Sequence, residues 1–216
     1  MAIELTDRDV LLVIDVQNDF CDGGALPVPG GQDVVPVIHR IAPAFSHVIL
    51  TQDWHPQDHH SFASNHLGRT PFETKETPHG DQVLWPDHCV QGSQGAAFHP
   101  HLLLDNTELI LRKGFRKTID SYSAFTENDR LTRTGLTGYL RERGLGRIFL
   151  TGLAYDFCVR HSAIDGMRAG FETYVVEDAC RAIGLGGSIA ATHHEFNDAG
   201  VRRIQSAMLE PANRNE

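Results

Sequence analysis

The feature that most constrains this chain is a series of short, mostly apolar runs: Val10 to Val16 (VLLVIDV), His47 to Gln52 (HVILTQ), Glu108 to Arg112 (ELILR), Arg147 to Gly152 (RIFLTG) and Phe171 to Val176. The first is near-continuous rather than alternating, the pattern of a strand buried on both faces of a parallel sheet. Between the runs lie segments with helical spacing. Val34, Val35, Ile38, Ile41, Ala42 and Phe45 follow the Gly/Pro-rich turn Gly23 to Gly31, and Leu131 to Arg143 closes at Gly144. Tyr155 to Ala169 stops at Gly170, and Ser188 to Ala199 stops at Gly200, with Val201 to Ser206 adding an edge strand. Strands alternating with helices through short connections imply right-handed crossovers, so the sequence predicts an α/β fold of three layers, α/β/α, around a mostly parallel sheet of five to six strands. At 216 residues the chain suits one domain, expected over residues 1–210, with a frayed tail at 211–216.

One stretch breaks the alternation. Residues 53–107 show little periodicity, and a loop of that length in a compact domain usually carries function. Eight of the 13 histidines fall between His55 and His101, more than twice a uniform spread, which points to the same stretch as the place for metal and substrate. The formal charge of −9, with no basic stripe, argues against nucleic acid as a partner. No apolar run approaches the roughly 20 residues of a membrane span. The N-terminal stretch with Glu4, Asp7 and Asp9 lacks the basic region of a secretory signal, so a cytoplasmic location is expected. Cys21, Cys89, Cys158 and Cys180 show no CxxC pairing, so neither a disulfide framework nor a structural zinc knuckle is expected.

Ligands of open α/β sheets sit beyond the carboxyl ends of the strands. The residues at those ends are Asp15, Asp53 and Lys113, and the fourth strand runs into the turn before Cys158. Near the start of a helix, Cys158 is placed where amide groups and the helix dipole favour thiolate over thiol. Asp15 then supplies a base for the thiol proton and Lys113 a cation that lowers its pKa, a nucleophilic set suited to an acyl carbon. Taken singly, a buried cysteine, a capping aspartate and a solvated lysine are ordinary; the coherence of the three carries the reading. Asp53 and His55, two apart in an extended segment, point the same way and can share an ion. His88 in WPDHC is the chosen third ligand, and two histidines with one carboxylate suit zinc, iron or manganese. Gly184 to Ser188 lacks GxGxxG spacing and reads as a loop leading into a helix.

These residues carry a resemblance over nearly the whole chain. IDVQNDF at 14–20 with Gly23, Gly24 and Leu26, TQDWHP at 51–56 with Ser61 and Phe62, WPDHCVQG at 85–92, RKG at 112–114, DSYSAF at 120–125 and TGLAYDFCV at 151–159 resemble the nicotinamidase family of isochorismatase-like cysteine hydrolases. The first and last segments are common to the superfamily; WPDHCVQG together with DWH is specific to the narrower family. The resemblance implies an isochorismatase-like fold and hydrolysis of nicotinamide to nicotinate and ammonia in NAD salvage. It also implies activity on pyrazinamide and one divalent metal per chain, most typically zinc. It assigns Asp15 as general base, Lys113 as stabilising cation, Cys158 as nucleophile, and the backbone amides of Ala154 and Cys158 as oxyanion donors. Asp53, His55 and His88 become metal ligands, with His59, His60 and Ser61 as candidates for an additional one. Phe20, Trp85 and Tyr122 would line the substrate pocket, and a cis peptide would fall between Leu153 and Ala154. A homo-oligomer is compatible with this reading. The competing readings are a superfamily hydrolase acting on another small amide or a vinyl ether, a non-haem iron oxygenase and a binding module without catalysis.

Overall fold

The computed structural model of the protein describes residues 2–210. In chain order the elements are β1 (Ile3–Glu4), β2 (Asp9–Ile14), α1 (Val34–Ile41), β3 (His47–Asp53), β4 (Thr74–Thr77), β5 (Gly80–Val83) and β6 (Thr107–Lys113). They continue with α2 (Leu136–Glu142), β7 (Arg147–Leu153), α3 (Arg160–Arg168), β8 (Glu172–Arg181), α4 (Ser188–Ala199), β9 (Arg202–Ile204) and β10 (Leu209–Glu210). Six strands form one sheet in the order β6-β3-β2-β7-β8-β9, every neighbouring pair parallel. This is the α/β fold expected from the sequence.

The near-continuous apolar character of β2 has a direct cause. Leu11 and Val13 point into one core layer with Val34, Val35 and Ile38 of α1, while Val10, Leu12 and Ile14 point into the other. That second layer includes Leu136 and Leu140 of α2, Ala163 and Ile164 of α3 and Phe196 of α4. Both faces are covered, so both sets of alternate residues are apolar. β6 lies at an edge and alternates, with Ile110 half exposed.

The structure departs from the sequence pattern in four places. The helix expected from Leu131 begins only at Leu136, because Asp129 captures the backbone N–H groups of Leu131 and Thr132 and Thr126 bridges to Arg133, closing a turn. The helix expected over 155–169 opens with a π turn, Tyr155–Val159, before α3. β8 runs to Arg181, past the expected end at Val176, and shifts register against β7 between Leu150 and Gly152. The long loop holds the hairpin β4–β5, is cross-linked internally by bridges His55 to Val90 and Phe62 to Trp85, and is tied to the body by the bridge Gln17 to Phe98. Leu209 and Glu210 pair with Ile3 and Glu4, and the frayed tail expected at 211–216 lies outside the described residues.

Because β2 is central, the chain leaves it first toward β3 and β6, then returns to β7 on its other side. That reversal sets the carboxyl ends of β6, β3, β2 and β7 side by side at a topological switch point. Gly152 packs tightly here: at φ 104°, a Cβ on it would lie 2.1 Å from the Ile14 carbonyl oxygen. Gly144, also in the left-handed region at φ 70°, has open space around its missing Cβ. Gly144→Ala is therefore expected to cost about 1 kcal/mol of stability. Gly152→Ala should cost more than about 3 kcal/mol, since the backbone itself must move. Urea unfolding of the two variants checks the difference; equal losses would show that the β2–β7 contact is not a constraint.

Candidate active site

Four adjacent strand ends deliver the reactive side chains. Asp53 and Lys113 are register partners at the ends of β3 and β6; Asp15 follows β2, and Cys158 lies in the π turn after β7. All four are buried. The Lys113 Nζ donates to Asp53 Oδ1 at 2.5 Å, to the Ser121 carbonyl at 2.9 Å and to Cys158 Sγ at 3.5 Å. It also lies 2.8 Å from Asp15 Oδ2, an ion pair between two fully buried groups. Asp15 itself sits at φ 46°, outside the strand conformation, held by Thr51: the Thr51 hydroxyl donates to Asp15 Oδ1 at 2.6 Å and accepts the Asp15 N–H at 3.1 Å.

Burial and charge divide the protons among these groups. Burial disfavours a charged Lys113, yet Asp15 and Asp53 outweigh it and hold the ammonium well above its ordinary pKa. Burial opposes ionisation of Asp53 too, but Lys113 and His55 keep its carboxyl far below the usual range. Asp15 is raised, by burial first and then by Asp53, although Lys113 pulls the other way. For Cys158 the result reverses the expectation of a lowered thiol pKa. Burial pushes it well up, Lys113 opposes this, and Asp15 and Asp53 add to the rise. The helix-start position does not overcome desolvation beside two carboxylates, so the resting group is a thiol and the neighbouring acceptor with raised basicity is Asp15.

The second half of the site begins at the other oxygen of Asp53. Its Oδ2 lies 3.4 Å from His55 Nε2 and 3.8 Å from His88 Nε2. Each ring is oriented through its other nitrogen: His55 Nδ1 meets the Gly114 carbonyl and His88 Nδ1 the Pro86 carbonyl, both at 2.8 Å. A carbonyl accepts only, so Nδ1 carries a proton on each ring and Nε2 is the nitrogen turned toward Asp53. Burial and the neighbouring His55 lower His88 to about 4, which keeps that ring neutral, whereas the charge of Asp53 raises His55 against the effect of burial. Two imidazole nitrogens and a carboxylate converging within 4.8 Å are a donor set that fits a divalent metal. Gly114 is required for the approach, because a Cβ there would lie 2.5 Å from His55 Cε1. Of the three further ligand candidates, none joins this trio. His59 groups instead with His55 and Asp120, its ring nitrogens facing Ser61 Oγ at 2.7 Å and the Ile119 carbonyl at 3.2 Å. The His60 backbone N–H donates to the Lys117 carbonyl, and its buried Nε2 has no hydrogen-bond partner.

A small, narrow cavity lies over both halves. Phe20, Trp85 and Tyr122 line it together with Cys158, Asp53, His55, His88 and Ala154. Trp85 Nε1 donates to the Tyr122 hydroxyl at 3.1 Å, fixing the two rings. The Leu153–Ala154 peptide is cis. A more open surface depression beside Phe45 and Leu103 has His39 and Asp105 in its lining but no cysteine or lysine.

Sequence reasoning missed several wall residues. Phe157, edge-on to Trp85 at 5.0 Å, was legible in principle, since it directly precedes the cysteine. Leu26, Ile183 and Asp120 also face the cavity, and Thr51 positions Asp15. Thr51 carried the periodic signal of a core strand residue; Ile183 carried none.

Comparison with known proteins agrees with this geometry. The isochorismatase domain family matches residues 9–214. A nicotinamidase of Acinetobacter baylyi is 53% identical over 206 residues, covering 95% of this chain and 96% of its own. The solved Acinetobacter baumanii nicotinamidase/pyrazinamidase superposes with a TM-score of 0.93 at 50% identity, over 94% of this chain and 99% of that one. An L. infantum structure in complex with nicotinate gives 0.83 at 36%, covering 97% and 99%. A pyrazinamidase of Pyrococcus horikoshii in complex with zinc gives 0.73 at 30%, covering 92% and 99%. With a reactive strand-end set, a two-histidine, one-carboxylate cluster and an aromatic cavity on a parallel sheet, the chain belongs to the isochorismatase-like hydrolases and, within them, to the nicotinamidase family.

Proposed function

We propose that this chain is a metal-containing cysteine amidohydrolase that converts nicotinamide to nicotinate and ammonia in NAD salvage, and that it also accepts the ring analogue pyrazinamide. The observation that carries this reading is the contact of Lys113 with Asp15, Asp53 and Cys158, the last two of which line a cavity together with Phe20, Trp85, Tyr122 and Phe157. Flat apolar walls suit a pyridine ring. The kinship with nicotinamidases supports the same substrate. Residues 1–210 are proposed to act as one domain, with 53–107 supplying metal and substrate contacts. Four free, buried cysteines suit the reducing cytoplasm.

In the proposed reaction Asp15 Oδ2 takes the thiol proton as Cys158 Sγ attacks the carboxamide carbon. Proton transfer accompanies attack rather than preceding it, because the buried thiol holds its proton tightly in the resting site. The backbone amides of Ala154 and Cys158 are assigned to the oxyanion, and Lys113 balances the charge on Asp15 and sulfur. Asp15 then protonates the departing ammonia and leaves a thioester on Cys158. A water molecule, deprotonated by Asp15, attacks that carbonyl; nicotinate leaves, and the proton returns to sulfur. Asp53, His55 and His88 would hold the metal, which when bound supplies a Lewis-acidic position for the ring nitrogen or for a water bonded to it, and so orients the amide.

An ammonia-release assay on nicotinamide, with and without a chelator, tests the activity; no release with metal present sinks the assignment. Cys158→Ala is expected to lower kcat about 10⁴-fold or more with metal content unchanged, and near wild-type ammonia release from it would exclude the thioester. His88→Ala should weaken metal retention by about 100-fold or more, read by elemental analysis after dialysis, and should raise KM. Thr51→Val removes only the hydroxyl that fixes Asp15: kcat should fall about tenfold, with KM within about twofold and recovery in Thr51→Ser. An unchanged kcat would show that Thr51 fills space and nothing more.

A further inference from the structure

A cleft remote from the chemistry gathers three guanidinium groups. It is open to solvent, lined by Thr126, Arg130, Arg133, Asp165, Arg168 and Ala169, and has a volume of about 390 Å³. On a chain of net charge −9, three arginines converging on one concavity are out of keeping with the rest of the composition. Asp165 is the sole carboxylate in the lining, and one of its oxygens serves two of the three cations: Oδ1 is 3.4 Å from Arg130 Nη1 and 3.1 Å from Arg168 Nη1. Arg133 has only a long 3.4 Å bond to the Thr126 hydroxyl. The adjacent acids are committed elsewhere. Asp129 spends its oxygens on the backbone and hydroxyl of its own turn, and Glu127 is paired with Arg116. Each guanidinium offers five N–H donors, far more than the bonds above occupy, and the lining keeps two positive charges in excess.

The fold holds this arrangement in place. The Asp129 turn that ends the region before α2 puts Arg130 at φ 62°, a backbone conformation that costs a non-glycine residue free energy, and aims its side chain at α3. Arg168 and Asp165 project from α3 itself, one turn apart. The lining contains no aromatic side chain and more polar than apolar surface, so recognition falls to charge and directed hydrogen bonds. The geometry points to a binding site for a phosphate-bearing small molecule, held through its phosphate by Arg130, Arg133 and Arg168. Planar, forked guanidinium donors match phosphate oxygens two at a time, whereas a carboxylate would leave part of the set unused. From this cleft a short route leads to the cavity above Cys158: Arg130 Nη2 lies 3.4 Å from His161 Nδ1, and the His161 ring lies 5.2 Å from that of Tyr122.

The test is calorimetric titration of the metal-loaded enzyme with inorganic phosphate, glycerol phosphate and a nucleoside monophosphate. Saturable binding at one equivalent per chain, weakening as salt rises, is expected for at least one probe. Equal affinity for all three identifies the phosphate group alone as the ligand; tighter binding of an ester identifies the attached group as part of it. Arg133→Gln and Arg168→Gln should each weaken binding about tenfold, while thermal unfolding and ammonia release stay as in the parent, since both side chains are exposed and far from Cys158. Absence of saturable binding by every probe overturns the proposal. So does binding that survives both substitutions unchanged, because it would then lie at another site.

Discussion

Everything in this site depends on one buried ammonium. Lys113 is fully enclosed and stands between two enclosed carboxylates, Asp15 at 2.8 Å and Asp53 at 2.5 Å. An isolated charge at that depth costs several kcal/mol, and removing one partner of a buried pair commonly costs about 3–5 kcal/mol. Lys113 offsets the burial of both acids at once and is itself held charged by them. The two carboxylates nevertheless end in different states. Asp53, in contact with Lys113 on one oxygen and two histidines on the other, stays ionised; Asp15, with no second cation, is the more basic of the pair. One cation thereby separates a metal-ligating carboxylate from a proton acceptor, although both are aspartates at neighbouring strand ends.

The same link joins the two halves of the site. Asp53 turns Oδ1 to Lys113 and Oδ2 to His55 and His88, so the metal cluster and the nucleophile share a side chain and cannot shift independently. The carbonyls of Gly114 and Pro86 fix the two imidazoles, and the missing side chain at Gly114 lets His55 come within reach. In the proposed reaction, ring binding and attack on the amide are thereby held at a constant separation, which is what orientation requires.

Much of this was legible along the chain. Buried parallel strands must be apolar on both faces, so the apolar runs within β2, β3 and β7 declare themselves, and the carboxyl ends of the strands, β6 included, mark the edge where ligands bind. Asp15, Asp53, Lys113 and Cys158 were found that way. Asp53 and His55 were paired by the two-residue period of extended backbone. Less legible were features set by partners distant in sequence. The start of α2 at Leu136 depends on Asp129 closing a turn, and the π turn at Tyr155 interrupts a pattern that reads as continuous helix. Ile183 reaches the cavity from a loop with no periodicity at all.

What the sequence by itself determined is the layered parallel sheet and the identity of the strand-end side chains, because burial and chain alternation act locally and leave a periodic trace. What only the tertiary structure decided is the protonation of those side chains. A cysteine near a helix start is expected to ionise easily, yet Cys158 does not, since two carboxylates from strands 100 or more residues earlier in the chain lie beside it in a dry pocket. Position along the chain names the reactive groups; desolvation and the charges that folding brings within a few ångströms determine which of them holds the proton.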